Sequence, residues 1–169
     1  MTKVRGNAMA KRKIKYLLKF CGKEQYADDL MAGKLFMNAA GYYRYLEEGQ
    51  GDILEGALSH QFAISKGTNR PIYCMYAVFE DQIKDNSIYI PQKIITEFHC
   101  ENGWAVLLNF AAFEDLLPKL DTAGHELKGG LVTYGSPSNE GTAYLLADAN
   151  DKQLFVKHPR FAHQQEFRL

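Results

Sequence analysis

With 169 residues, a hydrophobic fraction of 46% and 12% aromatics, the chain can bury a core without disulfide support, and five prolines with 24% charged residues exclude a disordered polymer. Formal net charge is zero, yet the first 23 residues carry eight Lys or Arg and no acid, so the remainder is acidic by the same amount. Such a basic start suits an anionic partner, nucleic acid included, and equally a solvated surface segment.

Cys21, Cys74 and Cys100 are odd in number, widely spaced and free of any Cys-x-x-Cys pair. They read as reduced thiols in the core of a cytoplasmic protein, without a disulfide framework or zinc site. No apolar run reaches the roughly 18 residues of a membrane span. The basic start lacks the apolar stretch of a signal peptide, so a soluble protein with no membrane partner is expected. Residues 1–13 are expected to form a basic flexible head, of which the first eight can be deleted without harm to folding, and 14–169 a single domain.

Residues 14–20 alternate and predict a first strand, broken at Gly22. Over 23–32, Tyr26, Ala27, Leu30 and Met31 recur at helical spacing, with Gly33 where the helix end needs a left-handed residue. A brief strand at 35–37 closes on Asn38. Tyr42, Tyr43 and Tyr45 then cluster ahead of an acidic, glycine-rich loop at 47–56 containing Asp52 and Glu55.

Strands are expected at 57–65 and 71–79, the second a nearly continuous apolar run that marks the centre of the sheet. A polar turn at 81–87 precedes Pro91, after which Ile94, Ile95 and Phe98 give a helix its face. Residues 104–110 read as another buried strand, and Phe113, Leu116, Leu117 and Leu120 as a short helix interrupted or bent at Pro118. Short strands at 131–134, 144–147 and 154–157 follow, with turns at 135–141 and 148–152, and 165–169 ends the set. This order predicts one α+β domain with a mixed or antiparallel sheet of short strands and about three helices.

The segment 158–169, His-Pro-Arg-Phe-Ala-His-Gln-Gln-Glu-Phe-Arg-Leu, concentrates polar and aromatic side chains. A period of two puts Gln164 and Glu166 on one face of a strand, with Phe167 and Leu169 turned to the core. A structural reading of Glu166 is an ion pair with Arg168 or Arg160 on the sheet surface. Phosphate-loop, dinucleotide-fingerprint, zinc-protease and esterase-elbow motifs are absent. His60, His99, His125, His158 and His163 lack metal-ligand spacing, so no metal is expected.

Several segments in order resemble a known family. They are a first strand with a basic residue (16–20), a helix ending in Ala-Gly-Lys-Leu-Phe-Met-Asn (32–38), an aromatic segment, and Gly-Asp-x-x-Glu-Gly (51–56). A buried aromatic strand and Lys157 followed by Gln-x-Glu-Phe-Arg (164–168) complete the series. The chain thus resembles uncharacterised bacterial and phage-defence proteins, associated with abortive infection, that end in Glu/Gln-x-Glu-aromatic-Arg. Those proteins are similar to the ADP-ribosyltransferase fold, and the likeness spans most of 14–169.

The resemblance implies NAD as substrate, with Glu166 as the catalytic carboxylate and Gln164 orienting the acceptor. Tyr42, Tyr43 or Tyr134 would sandwich nicotinamide, while Lys19, on the same strand as Tyr16, or Arg44 would pair with the pyrophosphate. The family fold usually carries Arg or His on its first strand, where this chain offers Lys15, Tyr16 and Lys19, which lack the bidentate fork. The Ser-Thr-Ser strand motif of arginine-modifying toxins is also missing.

The implied function is an ADP-ribosyltransferase-like toxin or phage-defence effector, a transferase or NAD glycohydrolase with a protein or nucleic-acid acceptor. Two alternatives stand beside it. One is a non-catalytic nucleotide- or protein-binding module on the same fold. The other is a metal-independent ribonuclease using His158, His163, Arg160 and Arg168 with the basic head on RNA. If Glu166 serves charge and not packing, Glu166→Gln should abolish transfer with little loss of stability.

Overall fold

The computed structural model describes residues 12–45, 70–120, 127–135 and 152–169. The loop at 47–56, the strands expected at 57–65 and 144–147, most of the turns at 135–141 and 148–152, and His60 and His125 lie outside the described residues.

The chain opens with β1 (Ile14–Cys21) and α1 (Glu24–Met31), which ends at Gly33 with φ +81° as its spacing predicts. A short β2 (Asn38–Ala39) leads into a 3-10 helix, Ala40–Tyr45, and β3 (Pro71–Ile72) precedes β4 (Cys74–Phe79). Asp85 and Asn86, both left-handed, turn β5 (Ile83–Lys84) into β6 (Ser87–Ile88) as the two central residues of a tight hairpin. Next come α2 (Gln92–Glu97), β7 (Trp104–Asn109) and α3 (Phe110–Leu120). Asn109 caps α3 by accepting the Ala112 N–H at 3.1 Å, and the helix continues through Pro118. The rest comprises β8 (Gly130–Leu131), β9 (Thr133–Tyr134), β10 (Val156–Lys157), a 3-10 helix at Pro159–Gln164 and β11 (Glu166–Arg168).

Five strands form one antiparallel sheet in the order β7-β1-β4-β11-β8, so the apolar run of β4 does occupy its centre. The short β9 and β10 pair in parallel beside it. The architecture is a mixed α+β domain, and no helix among the described residues is long and apolar enough to cross a membrane.

The pleat divides the sheet between two tasks. On one face Leu17 stands opposite Ala77 and Phe167 opposite Met75, and this row packs with Ala27 and Leu30 of α1 and Phe113 of α3 in the main core. On the other face Leu18 and Glu166 both stand opposite Tyr76, and Arg168 opposite Cys74. Tyr76 and Val78 there meet Ile94 of α2 in a second cluster that Tyr16 and Leu18 border.

Several expectations need correction. The brief strand expected at 35–37 lies at Asn38–Ala39, and of the strand expected at 154–157 only Val156–Lys157 is extended, because Lys152–Phe155 forms a 3-10 helix. The run at 104–110 forms an edge strand, not a buried one: Val106 is buried, whereas Trp104 and Leu107 are 48% and 46% exposed. An apolar sequence does not specify that both faces are covered. Gln164 belongs to the 3-10 helix, not to the last strand, because Gln165 takes a left-handed backbone (φ +42°) between them. Finally, Arg12 and Lys13 are part of the domain. The Arg12 guanidinium holds both carboxylate oxygens of Asp81 at 2.8 and 3.0 Å, reaches Gln165 Oε1 at 3.0 Å and lies 4.1 Å over the Phe79 ring. Lys13 pairs with Glu80 at 3.3 Å.

Candidate functional site

The sheet face opposite the main core forms the floor of a cavity of about 470 Å3. Leu18 and Phe20 of β1, Cys74 and Tyr76 of β4, and Glu166 and Arg168 of β11 line it, which a period of two along three paired strands makes possible. Phe98 and His99 enter at the end of α2, Tyr43 from the 3-10 helix, and Lys157 and Gln164 from the segment before β11. Among the described residues, two of the four non-glycine positions with positive φ are at this cavity: His99 lines it, and Gln165 lies between the lining residues Gln164 and Glu166. Strained backbone of this kind persists only where its surroundings impose it, and it concentrates at functional sites.

Glu166 is the electrostatic centre. Its Oε1 accepts from Arg168 Nε and its Oε2 from Lys157 Nζ at 3.1 Å, with all three side chains buried. Burial alone pushes the carboxyl up, but the Arg168 guanidinium and then the Lys157 ammonium hold it well below the usual carboxylate range, with a further hydrogen bond from Cys74. The carboxylate is therefore ionised at neutral pH.

The triad is braced from three sides. Arg168 Nη1 donates to the Leu154 carbonyl. Lys157 Nζ also donates to Gln164 Oε1 at 2.8 Å and lies 4.7 Å over the Phe161 ring. The Glu166 backbone N–H donates to Tyr134 Oη at 2.8 Å. Gln164 in turn sends its amide N–H to Glu97 at 3.4 Å, and the same Glu97 oxygen takes His163 Nε2 at 2.7 Å.

Of the side chains expected at a site, Glu166, Gln164, Lys19 and Tyr43 border the cavity. They arrive by other routes than expected. Gln164 gets there from the end of a 3-10 helix, and the Lys19 ammonium is directed at the Cys74 carbonyl at 2.8 Å, over the Tyr73 ring. Tyr43 is largely desolvated, which pushes its hydroxyl up. Tyr134 stands behind Glu166 as a backbone acceptor and does not line the cavity. Tyr16 packs with the second apolar cluster and Tyr42 is 53% exposed, edge-on to Tyr43, so neither ring faces the cavity. The Arg44 side chain lies outside the described residues.

The residues proposed for a ribonuclease do not converge. His158 is exposed and accepts the Arg160 N–H at 3.2 Å, His163 is on Glu97, and Arg168 is buried on Glu166. Sequence reasoning missed the role of Lys157 and the aromatic contribution of Phe20, Tyr76 and Phe98. Arg168 two residues after Glu166, on the same face of a strand, was the available signal for part of the triad. Nothing local marked the rings, since an aromatic on a strand reads as core.

Comparison with protein-family models, curated proteins and solved structures finds no match for the chain.

Proposed function

We propose that the cavity is a nucleotide site and that the chain is an NAD-dependent ADP-ribosyltransferase-like protein, with Glu166 as its carboxylate and Gln164 as companion. The observation that supports this is the meeting of an ionised carboxylate, two cations, an amide and several rings in one cavity. Its size falls within the roughly 300–1,000 Å3 of small-molecule sites.

NAD offers two phosphates to the cations and flat heterocycles to Tyr43, Tyr76 or Phe98. Lys157 and Arg168, which line the cavity on the same face as Glu166, are the partners for the pyrophosphate, whereas the Lys19 ammonium lies over the Tyr73 ring of the main core. Cleavage of the bond between nicotinamide and ribose leaves positive charge on the sugar, and a fixed anion beside it lowers that barrier. Glu166 is ionised for the task and needs no metal. Action as a toxin or phage-defence effector is what the family resemblance adds.

A second reading, a binding module without catalysis, is favoured by one contact pattern. Both Glu166 oxygens already accept from cations, as in a structural cross-link.

Thermal unfolding with and without millimolar NAD, together with detection of released nicotinamide, separates these. Release by wild type that is lost in Glu166→Gln, at a temperature where circular dichroism shows the variant folded, supports the enzyme. Protection without release selects the binding module. Neither effect would remove NAD as the ligand.

A further inference from the structure

The cavity changes character along its length. Strand order places β4 between β11 and β1, so the floor runs from Glu166 and Arg168 across Cys74 and Tyr76 to Leu18 and Phe20. Two steps of roughly 4.8 Å between strands make that distance about 10 Å. At the β11 end the lining residues Lys157, Gln164, Glu166 and Arg168 are all buried. At the β1 end Gly22 and His99 are exposed, which makes this end the mouth. Between the two ends stand half-buried Leu18, Phe20 and Phe98, the last two stacked at 5.6 Å with 19° between their ring planes. The ordinary arrangement, apolar groups deep and charges near water, is thereby reversed. A molecule entering the cavity meets an apolar throat first and charged donors last.

We propose that the cavity accepts single-chain amphiphiles head-first, an anionic phosphate or carboxylate head on a linear alkyl chain. Oxygens of the head accept from the Lys157 ammonium and the Arg168 guanidinium, charge-assisted bonds that offset the hydration it loses at the buried end. The chain lies along Leu18 and passes the Phe20 and Phe98 rings, and each methylene that leaves water there adds affinity. At ~1.2 Å gained per bond of an extended chain, about eight carbons cover the roughly 10 Å to Phe20. The inference goes beyond the nucleotide reading, since NAD has no alkyl chain for the throat. On that reading the pyrophosphate takes the same two cations, so nucleotide and amphiphile exclude one another.

The test titrates the full chain by calorimetry with n-alkyl phosphates and n-alkanoates of two to twelve carbons, below their critical micelle concentrations, with n-alkanols as uncharged controls. In one anionic series or both, Kd should fall about 4-fold per methylene, the equivalent of ~0.8 kcal/mol for a buried CH2, and level off beyond about eight carbons. The series that does so identifies the head. Absence of binding, or affinity independent of chain length in both series, overturns the proposal. A gain that continues undiminished to twelve carbons overturns the enclosed throat, and alkanols that bind as tightly as the anions overturn the anionic head. Gly22 has no positive φ, and a Cβ added there meets nothing within 4 Å, so Gly22→Leu extends the apolar wall at the mouth without strain. It should tighten ten-carbon ligands on the order of 3-fold and leave four-carbon ones unchanged. An equal effect at both lengths, or none at either, overturns the head-first orientation. None of these measurements uses NAD, so the proposal and the nucleotide reading can fail separately.

Discussion

Arg168 and Glu166 stand two residues apart on one face of β11, and the guanidinium folds back along the strand onto the carboxylate. Neither reaches water to any extent: their side chains are 1% and 7% exposed. Each charge therefore depends on the other, and on Lys157, for the solvation that burial removed. The ion pair that the sequence suggests for a sheet surface is instead an internal one.

That location reverses an expectation about Glu166→Gln. Removing one member of a buried ionic set leaves uncompensated charge, which costs about 3–5 kcal/mol. Urea unfolding at pH 7 should show a loss of that order. Replacing Glu166, Lys157 and Arg168 together with Met or Leu should restore much of it. A loss below about 1 kcal/mol in the single variant would mean that the triad behaves like an exposed pair.

Acid should unfold the protein through the same group. The unfolded carboxyl titrates near its ordinary value of about 4.3, and the folded one lies lower. Below that pH the unfolded chain binds a proton that the folded state refuses, so stability complete above it is lost as pH falls towards the folded value. The urea midpoint should decline from about pH 5 to about pH 2, and less steeply in Glu166→Gln. Parallel declines in the two proteins would assign the acid sensitivity to other groups.

Periodicity made β1, α1, α2 and the centre of the sheet legible, because each buries an apolar face whose spacing the residues themselves record. Phe167 and Leu169 enter the core as the alternation of the final segment predicts. The shared location of Gln164 and Glu166 was legible only by coincidence. A strand would bring both to one face, but the structure does so with a helix end and a left-handed Gln165. Burial of Lys157 and Arg168 was not legible at all, since charges ordinarily sit in water. Their placement depends on partners that the chain supplies from distant segments.

Gln165 offers a test of that backbone. Its amide donates to Tyr76 Oη at 2.6 Å and accepts from Arg12, so Gln165→Ala loses both contacts while keeping a left-handed conformation. Gln165→Gly loses the same contacts but relieves a strain of about 1–2 kcal/mol. The glycine variant should therefore be the more stable of the two by about 1 kcal/mol in thermal or urea unfolding. The reverse order would show that the position carries no strain.

Tyr134→Phe removes the oxygen that accepts the Glu166 backbone N–H. An unsatisfied buried donor costs about 1–3 kcal/mol, so unfolding should report a loss in that range although a single atom is deleted. Slowed amide exchange at Glu166 in wild type, lost in the variant, would locate the effect. Unchanged stability would imply that water takes the place of the hydroxyl.

Through β11 and the residue after it, residues serving the cavity alternate with residues serving the core, Glu166 and Arg168 with Phe167 and Leu169. Inserting or deleting one residue just before the strand would exchange the two sets at a stroke, sending charges into the apolar layer and rings into the cavity. Substituting Phe167 by Leu changes only a volume, whereas adding an alanine after Gln165 changes the meaning of every position beyond it. The former should leave a folded protein and the latter should not, as circular dichroism of the two variants can establish. For this segment, length is a stricter requirement than composition.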